Sequence, residues 1–295
     1  MNNDYRAWIR RMGRQTVALV IVLLTLVMVW EGVKWVGGDP WFADSNPWGI
    51  EHNPPFRFKF ASNLNLPHVW DIAAAFGKAS RRNGPPLYEI LWYASLFTFR
   101  EAVTGFVLGG VLGFGLGVVF VHSQLLERSL MPYIVASQTI PILAIAPMVI
   151  IWLQAGWVSV AVISAYLTFF PVTINTLRGL RSPDPMALEL MRSYAASPWA
   201  ILWKLRLPAA LPQIFTALKI SATASVVGAI IGELPSGIRD GLGGAILNFN
   251  SYYISGPERL WATILASAGV GIVFYLLVVG VEWWVLRNRA GEVSA

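Results

Sequence analysis

Long apolar stretches separated by short polar ones constrain this chain more than any other feature. The first, "TVALVIVLLTLVMVW" (Thr16–Trp30), has counterparts at about residues 102–121, 132–153, 158–176, 214–232 and 260–286. The hydrocarbon core of a bilayer is about 30 Å thick, so a spanning helix needs about 20 apolar residues. Composition agrees: 56% of the 295 residues are hydrophobic and 13% are charged, against about 25% charged in a soluble domain. The sequence therefore predicts an all-α membrane protein with six transmembrane helices and one large loop. The formal charge of +6 could suggest a nucleic-acid partner, but Lys and Arg cluster beside the apolar runs, where membrane topology requires them. The chain has no cysteine, which excludes disulfides, thiolate metal sites and a cysteine nucleophile.

Arg6, Arg10, Arg11 and Arg14 precede the first run and place residues 1–15 inside as a cytoplasmic tail. Residues 16–36 form the first span. It is read as retained and not as a secretory signal peptide, because its apolar region is long and Glu31, Lys34 and Trp35 follow where a small-residue cleavage site would stand. Residues 37–88 form an extracytoplasmic loop in which Asp39, Asp44, Glu51, Asp71 and the bordering Glu89 balance Arg57, Lys59, Lys78, Arg81 and Arg82. Residues 89–286 form the core, and 287–295 a second cytoplasmic tail.

Within the core, Gly105, Gly109, Gly113 and Gly117 recur every four residues and share one helical stripe, the pattern that allows close helix packing in lipid. A nucleotide-binding fingerprint would need a preceding strand and a polar loop. The third span carries Pro141 and Pro147 as kinks, and a tight "QAGW" turn leads to the fourth. Small and hydroxyl residues fill the fifth span. Ser221, Thr223 and Ser225, with Gln138 and Pro141, are candidates to line a pathway; helix packing is the alternative role. Glu233 follows the fifth span and is read as an interfacial solvated acid, with solute contact or proton coupling as the alternative. Arg100 and Glu101 are expected to snorkel or pair locally. Trp261, Trp283 and Trp284 bound the sixth span as interfacial anchors before Arg287 and Arg289.

The basic segment 177–212 interrupts the spans and must face the cytoplasm. Asp184-Pro185 and Ser197-Pro198 both read as helix starts, an N-cap acceptor followed by proline at N1. Two short helices are expected to meet at Ala195, Ala196 and Ser197, and Leu207-Pro208 is expected to stop the second. A small-residue corner with apolar flanks suits a partner's groove.

Glu189-Leu190-Met191, then Ala195, then Leu207-Pro208 resemble, in spacing, the coupling loop of ABC importer permeases. That loop runs Glu-Ala-Ala, three residues, Gly, nine residues, Ile-x-Leu-Pro. This chain departs from it at Leu190, Met191, Ala195 and Leu205, which puts the fine geometry of the turn in question. "QTIPILAIAPMVIIWLQAG", "FFPVTINTLRGL" and Gly241-Leu242-Gly243 are similar to the nitrate, sulfonate, taurine and vitamin-precursor subgroup. The enlarged first loop is similar to permeases for riboflavin or pyrimidine precursors.

The resemblance implies a type I ABC importer permease architecture in a prokaryotic inner membrane, with both termini cytoplasmic and a coupling-helix hairpin at 184–208. It implies docking to two ATPase subunits through Glu189, Ala195, Ala196, Ser197, Leu207 and Pro208. It also implies a second permease copy, a solute-binding protein, and ATP and Mg bound by the ATPases, with no cofactor or metal in this chain.

Enzyme readings find no site. The nearest phosphate-loop match, at Gly77-Lys78, has Ile72 and Ala79 where glycine and a hydroxyl residue belong. His52, His68 and His122 lack metal spacing. A secondary transporter working alone would more often show an inverted repeat or intramembrane charge pairs, and the sequence displays neither. For the solute, the fifth span has no fixed positive charge between Lys219 and Arg239. That favours a neutral heterocycle, riboflavin or a pyrimidine thiamine precursor, over a sulfonate, taurine or nitrate anion. Trp41, Phe42, Trp48, Phe56, Phe58, Phe60 and Trp70 are expected to pack the loop or anchor it at the interface, with stacking on a planar solute as the alternative.

Overall fold

A computed structural model describes residues 2–80, 84–154 and 156–290, with side chains for all of these except 2–16, 19, 45 and 288–290. Arg81 and Arg82 of the loop, Ala155 of the turn and residues 291–295 of the tail lie outside the described residues. So do the side chains of Arg6, Arg10, Arg11, Arg14 and Arg289.

Among the described residues, five helices are long and apolar enough to cross a membrane: Val20–Gly37, Leu87–His122, Trp157–Leu180, Pro198–Ser236 and Pro257–Arg287. The pair α4 (Gln124–Ser137) and α5 (Ile142–Trp152) is apolar enough for a sixth when taken together and is bent by 100° at the break between them, the shape of a broken span or a re-entrant loop. The sequence suggests one kinked span here. The break is sharper because Pro141 lacks an N–H and its ring pushes Ile140 away from helical dihedrals. Ser123 caps α4 by accepting from the Leu126 N–H at 3.3 Å.

The chain divides into two compact units, residues 1–88 with 249–262 and residues 89–248 with 263–295. In the first, the C-terminal end of α1 (Asn2–Gly37) is tied to the loop that follows it. Lys34, fully buried, donates to the Leu66 carbonyl at 2.6 Å and to Asn63 Oδ1 at 2.7 Å. One turn earlier, Glu31 accepts from the Val69 N–H at 2.8 Å at the start of α2 (Val69–Gly77) and pairs with His68 Nδ1 at 2.8 Å. The Trp30 indole donates to the Pro67 carbonyl and meets Trp261 edge-on. His52 stacks on Trp35 with centroids 3.6 Å apart, and Trp41, His68, Trp70 and Trp48 continue a chain of ring contacts. Most of the loop's indoles thus pack the loop against itself.

The second unit is built on α3 (Leu87–His122), α6 (Trp157–Leu180) and α9 (Leu207–Ser236). Gly105, Gly109, Gly113 and Gly117 face α6 at contact distance: a Cβ at Gly113 would lie 2.5 Å from the Phe169 carbonyl oxygen, and one at Gly117 2.7 Å from Thr176 Cβ. Small residues of α9 pack against the same helix. Ser164 Oγ donates to the Ser225 carbonyl at 2.8 Å, and Ser221 Oγ to the Thr168 carbonyl at 3.3 Å. Without a hydrophobic effect inside lipid, close backbone approach and interhelical hydrogen bonds hold such a bundle.

Candidate functional site

The hairpin between α6 and α9 stands out because its root is buried and its surface is apolar. Asp184 Oδ1 accepts from the Met186 N–H at 2.9 Å and starts α7 (Pro185–Ser193), with Pro185 at the first helical position. The helix ends in a Schellman motif. The Ala196 N–H donates to the Met191 carbonyl at 3.0 Å and the Ala195 N–H to the Arg192 carbonyl at 2.9 Å. That motif needs a left-handed residue at its corner, and Ala195 supplies it with φ 52°. The corner geometry for which glycine is suited is therefore adopted here by alanine. Ser197 then caps α8 (Pro198–Ile201) by accepting from the Ala200 N–H at 3.2 Å.

The expected stop at Leu207-Pro208 does not occur. The helix runs on from α8 through a π-helical stretch, Leu202–Arg206, into α9, with Pro208 in its first turn. The Leu207 N–H reaches back five residues to the Leu202 carbonyl. The wider turn accommodates a proline that lacks an N–H and whose ring would clash with the carbonyl four residues earlier. The hairpin's second arm and the fifth crossing are thus one rod.

Ile201 and Leu202 are buried, and Leu202 packs with Leu180, Ala210 and Ile214, against which Leu207, Val118 and Val121 also lie. The outer surface carries Met186, Leu190, Tyr194, Trp199 and Trp203 exposed, Tyr194 at 79%. Glu189, Ala195 and Ser197 are exposed too, Ala196 is half-buried, and Leu207 and Pro208 are half-buried at the root. Arg181, at the end of α6, makes a bidentate ion pair with Glu127 on α4. Such a surface can take up a partner and transmit its movement along α9.

At the other end of α9, Glu233 is fully buried, so it is not the solvated interfacial acid the sequence suggests. Its Oε1 accepts from the Thr98 hydroxyl at 2.6 Å and its Oε2 from the Gly243 N–H at 2.5 Å. Thr98 Oγ1 in turn accepts from the Leu242 N–H at 2.8 Å. The carboxylate thereby holds the start of α10 (Leu242–Ser251), and the Gly241-Leu242-Gly243 turn leaves room for it, since a Cβ at Gly243 would lie 2.7 Å from Glu233 Cβ. Glu101 neither snorkels nor pairs locally. It is fully buried with its carboxyl toward Glu233, and neither of its oxygens makes a hydrogen bond of regular geometry among the described residues. Arg100 instead lies over the Trp157 ring at 4.7 Å.

The pathway candidates separate. Ser221 and Ser225 are fully enclosed against α6. In this structure they pack helices and offer a solute no surface. Thr223 lies on the exposed stripe of α9 with Ile220 and Val227, its hydroxyl returned to the Ile220 carbonyl at 2.9 Å. Gln138 and Pro141 sit at the α4–α5 break, beside Ser137, whose carbonyl accepts from the Tyr166 hydroxyl. Lys219 is not a free charge: its Nζ holds Glu282 Oε1 and Oε2 at 2.9 and 2.8 Å. Sequence reading missed Thr98 and the Glu127–Arg181 and Lys219–Glu282 pairs. A lone acid inside an apolar run, as at Glu101, was the available signal.

Comparison with known proteins adds to this geometry. Residues 105–286 match the family described as binding-protein-dependent transport system inner membrane component. The chain is 32% identical over 201 residues to the riboflavin transport system permease protein of Chloroflexus aurantiacus, covering 68% of this chain and 74% of that one. It is 37% identical over 190 residues to the formylaminopyrimidine transport permease protein of Halalkalibacterium halodurans, covering 61% and 76%. A Bacillus subtilis permease, named as a candidate for aliphatic sulfonates, is 30% identical over 231 residues, covering 73% and 83%.

Proposed function

The chain belongs to the binding-protein-dependent transport system inner-membrane components and is the permease subunit of an ABC importer, and from that premise we propose that its 184–208 hairpin is the ATPase dock and that its solute is a neutral heterocycle. The observation that carries the dock is the continuous rod from α8 through the π stretch into α9. An ATPase closing on Tyr194, Ala195 and Trp199 would move the fifth crossing as a lever. Two ATPase subunits bind ATP and Mg, a second permease copy completes the pathway, and a solute-binding protein delivers the solute from outside. Both termini lie in the cytoplasm. Alternating access is then a rigid-body change between two states, and a transporter working alone has no use for such a hairpin.

For the solute, Lys219 is neutralised by Glu282, and the exposed stripe of α9, Thr216, Ile220, Thr223 and Val227, carries two hydroxyls and no charge. Fixed positive charge is what an anion pathway would need. Two relatives bear the names of riboflavin and formylaminopyrimidine, and we read the solute as a ring of that kind. The relative named for sulfonates keeps an anion as the second reading. Titration of the cognate binding protein decides between them. Tight binding of riboflavin or formylaminopyrimidine is expected, and tight binding of taurine or nitrate alone would replace the first reading with the second. Transport by purified permease that continues without ATPase would overturn the dock.

A further inference from the structure

Glu101 on α3 and Glu233 on α9 are both fully buried, and their carboxyls face each other. Their hydrogen bonding is lopsided. Glu233 has a donor for each oxygen, the Thr98 hydroxyl at 2.6 Å and the Gly243 N–H at 2.5 Å. No N–H or O–H of the described residues reaches either oxygen of Glu101. Thr98 stands three residues earlier on the same face of α3, yet it cannot serve Glu101. Its one proton goes to Glu233, and its oxygen takes the Leu242 N–H at 2.8 Å. Arg100 is exposed and lies over the Trp157 ring, and it forms no ion pair with either acid among the described residues.

Two facing acceptors with no donor between them repel, and two bare charges in a closed apolar bundle cost far more than one. One proton removes both defects. On Glu101 it supplies the missing O–H, and a single negative charge stays on Glu233, the carboxyl that already holds two donors. A hard metal ion such as calcium takes about six to eight oxygens, and among the described residues no group of three His, Asp or Glu side chains is placed to hold one. The walls are also close. A Cβ at Gly105, one turn along α3, would lie 2.5 Å from Ser164 Oγ, and one at Gly241 would overlap the Glu233 carboxyl. We propose that Glu101 and Glu233 form a proton-binding site, one proton shared between them with Glu101 as donor, and that this bond latches α3 to the end of α9 and to the turn that starts α10. The charges that act on Glu101 are Glu233 and Arg100. Around them, α10 carries no titratable side chain and α6 none before Tyr166, while α11 (Pro257–Ala290) meets α3 through Phe274, next to Tyr275.

Infrared spectroscopy reads the proton directly. In nanodiscs at about pH 8 solvated glutamates are ionised, so protein carrying isotope-labelled glutamate should still show the carboxylic-acid C=O band of one glutamate per chain. Glu101→Gln should abolish that band and keep the parent's melting temperature, because its amide N–H gives Glu233 the hydrogen that the shared proton gave. Glu101→Asp, which keeps an acid but removes the label, should move the band to the unlabelled frequency. Absence of an acid band in the parent would mean two ionised carboxylates and overturn the proposal. A labelled band that survives either substitution would belong to another glutamate and overturn it equally. Exchange of sodium for N-methylglucamine with a chelator present should leave the spectrum unchanged; carboxylate bands that follow the metal would put a cation between the acids in place of the proton. No readout uses ATP or transport, so the importer reading and this one fail separately.

Discussion

At the scale of single residues, Ala195 carries a cost that its neighbours impose. The Schellman corner requires a left-handed residue, and a Cβ there is strained by about 1 kcal/mol. Ala195→Gly relieves that strain, partly offset by the greater freedom of glycine in the unfolded chain, and is expected to raise the melting temperature in detergent while coupling to the ATPase persists. Ala195→Val, β-branched at φ 52°, should do the reverse, losing stability and ATP-driven uptake together. Glu233 is the second residue whose neighbours decide its meaning. Glu233→Ala would strand the Thr98 hydroxyl and the Gly243 N–H in a buried setting, at about 1–3 kcal/mol for each. A melting temperature equal to the parent's would contradict the role of Glu233 in holding α10.

Among elements, the join between α8 and α9 depends on the π stretch. Pro208→Ala removes the reason for the wide turn, so Leu202–Arg206 should relax toward α-helical hydrogen bonding and rotate the hairpin relative to α9. Slower amide exchange over 202–206 with weaker coupling of ATP hydrolysis to transport is expected; unchanged exchange would mean that the bulge has another cause. The approach of α3 to α6 is set by its glycines. Gly113→Leu pushes side-chain atoms into the Phe169 carbonyl, where even a Cβ would sit at 2.5 Å. Overpacking of this kind costs about 1–3 kcal/mol, measurable as loss of the folded fraction in a detergent titration.

Across the whole molecule, both termini in the cytoplasm, as proposed above, put Asn46 in the outer loop and the 184–208 hairpin on the opposite side of the membrane. A single cysteine introduced at Asn46 should react with an impermeant maleimide from outside intact cells, and one at Ser193 only after permeabilisation. Labelling at Asn46 from the cytoplasm alone would reverse the topology. Solvated segments at both ends of the crossings suit a subunit that meets a binding protein on one side and ATPases on the other.

Contiguous residues were enough to determine the apolar runs, both hairpin caps and the family, because run length, Asp-Pro and Ser-Pro pairs and motif spacing are local properties. Tertiary structure decided what locality cannot encode. Leu207-Pro208 reads as a stop until five residues upstream open into a π turn, and Pro141 reads as a kink until α4 and α5 take separate directions. The hydroxyls of α9 are alike in sequence, on a helix whose polar residues are spread round its axis and so form no stripe to fix its rotation. Only packing against α6 turned Ser221 and Ser225 inward and left Thr223 outside. Glu233 likewise reads as solvated until a threonine 135 positions away and a glycine ten positions on enclose it. A buried polar group in lipid must find partners wherever the fold supplies them, and those partners are set by three-dimensional contact, which no span boundary records.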